Sequence, residues 1–137
     1  MSPLLHRAIN AGIGGMRFKG QPWAITPADF FSDVEIVRGL AAIIIGCDAN
    51  DISLVPATSY GIATAMQNLS FATDQEILVL EEQFPSNVYG WMELARRSGV
   101  KLKTVARPAD GDWTQTILNA INSKTALAAL PHCHWTD

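Results

Sequence analysis

From about residue 50 onward, the apolar positions of this chain alternate between two rhythms. Short continuous apolar runs, of strand length, occur at Ile52 to Val55, Ile77 to Leu80, Leu102 to Ala106 and Ala126 to Leu130. Between them, at Ser59 to Leu69, Ser86 to Ser98 and Trp113 to Asn122, apolar residues recur every three or four positions, the period of a helix with one buried face. Strands that are apolar on both faces and separated by helices predict βαβ units in a parallel sheet covered on both sides, joined by right-handed crossovers. The expected fold class is therefore α/β, a three-layer sandwich with a mainly parallel sheet.

The first 25 residues hold Gly12, Gly14, Gly15, Gly20 and Pro22 and predict an irregular arm. Two helix-start signals follow. Thr26-Pro27-Ala28-Asp29 combines a capping hydroxyl, a proline suited to the first turn and an acid suited to the positive end of the dipole. Ser32-Asp33-Val34-Glu35 has the spacing of a capping box and leads into Val34, Val37, Leu40, Ala41 and Ile44, so a helix is expected to run to about Gly46. The expected organisation is an arm over residues 1–25 and one α/β domain over residues 26–137. The last predicted strand is followed only by His132 to Asp137, which leaves a sheet edge of the kind proteins normally pair, cover or charge. That predicts a chain belonging to a longer protein.

Composition narrows the function classes. Across 137 residues, 48% are hydrophobic and 17% charged, a globular composition that can bury a sizeable core. A formal charge of −3 supplies no basic footprint for a phosphate backbone, so nucleic acid is not an expected partner. The longest apolar stretch, Leu40 to Ile45, is far short of the ~20 residues that span a bilayer, and no membrane association is expected. Arg7 and Asn10 interrupt what would have to be the apolar core of a secretory signal. Cys47 and Cys133 make no disulfide framework, and a reducing, cytoplasmic setting is expected.

Ligands of open parallel sheets bind at the carboxyl ends of the strands, which directs attention to three loops. Pro56-Ala57-Thr58-Ser59-Tyr60-Gly61 combines small residues and hydroxyls with a helix N-terminus, where free N–H groups and the dipole favour an anion such as phosphate. The competing reading is a hydroxyl that merely caps the helix. Glu81-Glu82-Gln83-Phe84-Pro85-Ser86-Asn87 presents an aromatic ring, Phe84, either as a stacking platform for a planar ligand or as a plug in the core. His132 and His134 would face the same way on a strand, but a zinc site needs three or four ligands and no further partner of recognisable spacing is present, so no metal is expected.

The run from Phe30 to Asp137 resembles the N-terminal part of the large domain of class V aminotransferases. This fold-type I pyridoxal-phosphate group includes cysteine desulfurases, isopenicillin N epimerase-like proteins and kynureninases. Three stretches carry the resemblance: Pro56 to Ile62, similar to the family's Gly-Thr-Thr-Glu-Ala-Ile phosphate loop; Glu82 to Trp91; and Leu130 to Asp137, similar to the segment after the fourth strand. The resemblance implies pyridoxal 5'-phosphate as cofactor and an amino acid or related amine as substrate. It also implies a homodimer. Thr58 and Ser59 fall where the family binds the cofactor phosphate, and Phe84 where it stacks a ring on the pyridine face. Trp135 falls near an Asn that in desulfurase-like members lies close to the phenolic oxygen.

Two departures stand out. Tyr60 replaces the usual Glu of the phosphate loop, and Phe84 replaces the His of the desulfurases, which argues against desulfuration because a His can shuttle protons and a Phe cannot. The acid that pairs with the ring nitrogen and the lysine that attaches the cofactor are expected beyond residue 137. Asp137 sits too early to be that acid, and Lys19, Lys101, Lys103 and Lys124 match no attachment position. No catalytic residue is therefore expected in this chain. The reading from a different class is a non-catalytic Rossmann-like domain whose Thr58-Ser59 loop binds another anion.

Overall fold

The computed structural model describes residues 3–136. Contacts divide the chain into two compact units, residues 1–54 and 55–137.

In the first unit, helix α1 (His6–Lys19) occupies most of the expected irregular arm. Leu5, Ile9, Ile13 and Met16 recur at helical spacing, and Arg17 and Lys19 suit the negative end of the dipole. The three interior glycines, at about 1 kcal/mol each relative to alanine, lower the helix's stability without cancelling that pattern. Both downstream start signals lie at helix beginnings, but only one caps. Asp29 accepts hydrogen bonds from the backbone N–H and hydroxyl of Thr26, each 2.7 Å, closing a single 3₁₀ turn over Pro27–Phe30. Those bonds hold the Asp29 carboxyl below the usual carboxylate range. Helix α2 (Ser32–Ile45) begins after Phe31 with no side-chain cap. Glu35 instead forms a bidentate pair with Arg38 at 2.6 and 2.8 Å. Gly46, at φ 81°, ends the helix in the left-handed conformation that glycine adopts without strain.

The expected strand over residues 52–55 is absent. The Arg38 guanidinium takes the carbonyl oxygens of Ala49 (2.7 Å) and Ile52 (2.8 Å), which ties this stretch to α2. Among the described residues the sheet therefore has three strands rather than four.

The second unit runs α3 (Thr58–Asn68), β1 (Glu76–Leu80), α4 (Pro85–Ser98), β2 (Lys101–Val105), α5 (Trp113–Ala120) and β3 (Thr125–Ala128). The strands are parallel in the order β2-β1-β3. The central strand β1 reads as an unbroken apolar run because both of its faces are covered. Ile77 and Val79 point to the side of α3 and α4, where they join Trp91, with Ile62 and Met66 packed against them. Leu78 and Leu80 point to the other side and pack with Val105, Trp113 and Ile117. Full burial of such a side chain contributes roughly 1.5–3 kcal/mol, so β1 anchors both layers. The result is a three-layer α/β sandwich, as the sequence predicts.

Helices α3 and α4 approach closely at Gly90. A Cβ there would lie 2.5 Å from the Met66 sulfur and 3.2 Å from Cγ2 of Ile62, which explains a glycine inside a helix. From β1 the chain steps to one side for β2 and then crosses to the other side for β3, with α4 and α5 on opposite faces. That reversal makes a topological switch point, and a crevice opens at the carboxyl ends of β1 and β3.

Candidate functional site

The crevice is a cavity of about 500 Å³, within the range of small-molecule sites. Thr58 lies at its rim from the first turn of α3, Gln83 and Phe84 come from the loop after β1, Asn87 from the first turn of α4, and Cys133 and Trp135 from the segment after β3. Ile62 and Leu130 add apolar surface.

The start of α3 is capped by Ala57 in extended conformation, and no side chain caps it. The hydroxyls of Thr58 and Ser59 are thus not helix caps. Among the described residues no acceptor meets the backbone N–H of either. Two donors and the positive end of a helix of eleven residues face outward at this point. Ser59 departs from Thr58 in one respect, because it lines a separate hollow of about 370 Å³ between α3 and α4, together with Met66, Ser86 and Tyr89.

Phe84 immediately precedes α4, whose first residue is Pro85, and extended backbone at Phe84 suits the residue before a proline. Its ring is 51% exposed and is therefore no core plug. The Trp135 ring meets it in an edge-to-face contact, with centroids 5.9 Å apart and planes at 81°. The Trp135 indole N–H donates to the Glu82 carbonyl at 2.7 Å. The Asn87 amide donates to the Ala129 carbonyl at 3.4 Å, tying α4 to the end of β3.

The two histidines of the terminal loop separate. His132 is exposed at the cavity, whereas His134 is buried on the α5 side and stacks on Trp113 at 5.2 Å. The segment is a loop rather than a strand, so residues two apart do not share a face. His134 donates from Nε2 to the Glu81 carbonyl at 3.0 Å, which leaves Nδ1 to accept from Arg107 at 3.0 Å and from the Thr136 hydroxyl at 2.8 Å. This histidine clamps the ends of β1, β2 and the terminal loop together. Among the described residues, no cluster of three or more His, Cys, Asp or Glu could hold a metal. No helix among them is long and apolar enough to cross a membrane. Asp137 lies outside the described residues.

Gln83 was not singled out by sequence. It is 7% exposed and lines the cavity, and neither its amide nitrogen nor its amide oxygen has a partner. The available signal was an uncharged polar residue between Glu82 and Phe84, in the loop that follows the buried strand.

Residues 27–134 match the family model described as aminotransferase class-V. The chain belongs to the class-V aminotransferase family. A Staphylococcus aureus protein named "Probable cysteine desulfurase" is 32% identical over 106 residues, covering 77% of this chain and 22% of that protein. A Mycoplasma genitalium protein of the same name is 25% identical over 99 residues, covering 71% of this chain and 24% of its own length. The chain thus spans less than a quarter of these class-V relatives. In a solved structure described as a C-DES mutant with glycine covalently linked to the PLP cofactor, the fold superposes with a TM-score of 0.68 at 23% identity, covering 94% of this chain and 34% of that one. The parallel α/β fold is therefore that of a class-V enzyme, and family membership does not favour a free-standing anion-binding module.

Proposed function

We propose that this chain forms the N-terminal part of the cofactor domain in a pyridoxal-phosphate-dependent enzyme that acts on an amino acid or related amine. One observation carries the reading: a helix N-terminus with unmet donors, an exposed aromatic face and an indole that holds its loop all border one cavity at the switch point of the sheet.

The residues present fit the cofactor. The backbone N–H groups of Thr58 and Ser59 and the Thr58 hydroxyl bind the phosphate dianion at the positive end of α3. Phe84 offers its face to the pyridine ring, and Trp135 fixes the loop that presents it. The cavity's apolar surface, from Ile62 and Leu130, excludes water from the ring. When bound, pyridoxal phosphate supplies an electron sink for the electron pair left at the substrate α-carbon. Phe84 carries no titratable proton, so proton transfers at that carbon belong to other residues. These include the cofactor-attaching lysine and the acid facing the ring nitrogen, which we place after residue 137, and the full enzyme is proposed to be a cytoplasmic homodimer.

Cysteine is the substrate to test first, since the relatives are named cysteine desulfurases. Purified full-length protein, loaded with pyridoxal phosphate, is mixed with L-cysteine and then with a panel of other amino acids while absorbance and sulfide are followed. An amino-acid-dependent change in cofactor absorbance supports the reading, and sulfide release identifies cysteine. No absorbance change with any amino acid overturns it.

A further inference from the structure

We propose that Gln83 is a cofactor-contacting residue, its side-chain amide hydrogen-bonding a polar ring substituent of the pyridoxal phosphate assigned to this cavity. The inference rests on the proposed function and extends it to a residue that the phosphate and stacking roles leave unused.

Gln83 is more than nine-tenths buried, lines the cavity, and has no partner at Nε2 or Oε1. Burial strips a primary amide of water on both its donor and its acceptor, and folded proteins compensate that loss almost everywhere with a hydrogen bond. The chain has not used Gln83 to tie its own loop: Trp135 bonds the Glu82 carbonyl and Asn87 bonds the Ala129 carbonyl. The other buried side-chain polar atom without a partner among the described residues, the indole nitrogen of Trp91 on α4, sits in the apolar cluster between α4 and the sheet and does not line this cavity. Among the described residues, Gln83 is thus the buried side chain at the cavity wall whose amide still lacks a partner. Its neighbour in sequence, Phe84, presents the ring face, and the amide offers two N–H donors and one carbonyl acceptor. Pyridoxal phosphate carries a phenolic hydroxyl at its rim, a group that both donates and accepts hydrogen bonds and that such an amide can meet.

The test replaces the amide by an apolar side chain of similar length, Gln83→Met, in the full-length protein, with Gln83→Leu as a branched second variant. Two quantities are read: the thermal midpoint of the cofactor-free protein and the dissociation constant for pyridoxal phosphate by equilibrium dialysis. Removing an unsatisfied buried amide leaves the cofactor-free midpoint unchanged or raises it. Affinity falls roughly tenfold, equivalent to about 1.4 kcal/mol. Unchanged affinity in folded variants overturns the inference and leaves the cofactor site standing. A lowered cofactor-free midpoint in both variants also overturns it, because the amide then serves the protein's own packing. A parent protein that binds no pyridoxal phosphate overturns the cofactor reading and this inference together.

Discussion

The indole nitrogen of Trp135 donates a 2.7 Å hydrogen bond to the carbonyl oxygen of Glu82, across more than fifty residues of sequence. Glu82 has φ 52°, a left-handed conformation that costs a non-glycine residue energy and persists only where neighbours enforce it. The segment after β3 therefore holds the turn after β1 in shape, and with it Gln83 and Phe84. Trp135→Phe keeps a ring against Phe84 and deletes the bond. Chemical denaturation of the full-length protein is expected to show a loss of about 1 kcal/mol. An unchanged unfolding midpoint would mean that the turn needs no such support.

Phe84 is half exposed, so truncation does not empty a core position. Phe84→Ala is expected to lower the cofactor-free thermal midpoint far less than the ~3–5 kcal/mol of a buried phenylalanine. Phe84→His keeps a planar ring and is expected to shift the absorption of bound cofactor with the midpoint almost unchanged. A large fall in midpoint with an unaltered spectrum would return Phe84 to a structural role.

The two hydroxyls at the start of α3 border different hollows, Thr58 the main cavity and Ser59 the groove beside α4. A hydrogen bond to a charged group contributes about 1.5–3 kcal/mol, so Thr58→Ala is expected to weaken cofactor retention at least tenfold. Ser59→Ala, which keeps the backbone N–H, is expected to weaken it less. Equal dialysis rates for parent and Thr58→Ala would remove the hydroxyl from the phosphate site.

On α4, hydrogen bonds from Arg96 and Arg97 lower the Glu93 carboxyl to about 2, from 4.5. A carboxyl lowered by folding stabilises the protein above its unfolded value and loses that contribution as pH falls through the folded one, here between about 4.5 and about 2. The group is exposed, so the effect is small and fades with salt. NMR titration is expected to place the Glu93 midpoint near 2, and Glu93→Gln to flatten the stability curve across that window. A midpoint near 4.5 would show the pair to be open in solution.

The sandwich was legible because β1 is buried on both faces and so reads as an uninterrupted apolar run, with helical periodicity in its flanking segments. The stretch from Ile52 to Val55 has the same apolar look without the pairing, because Arg38, fourteen residues upstream of Ile52, captures its carbonyl and no local pattern announces that. Helix α1 was hidden by its glycines, whose cost is real but smaller than their count suggests. In the site, Phe84 and Trp135 were found from the ends of expected strands and from resemblance, whereas Thr58 came from resemblance and its helix start, the strand expected before it being absent. The unmet amide of Gln83 and the clamp made by His134 depend on which atoms meet after folding, and spacing along the chain carries no record of that.

The site itself is tested most directly by a crystal structure of the full-length protein soaked with pyridoxal phosphate. The expected result is cofactor density in the cavity at the carboxyl ends of β1 and β3, with the phosphate on the N–H groups of Thr58 and Ser59 and the ring against Phe84. Cofactor density elsewhere, with Thr58 and Phe84 untouched, would contradict it.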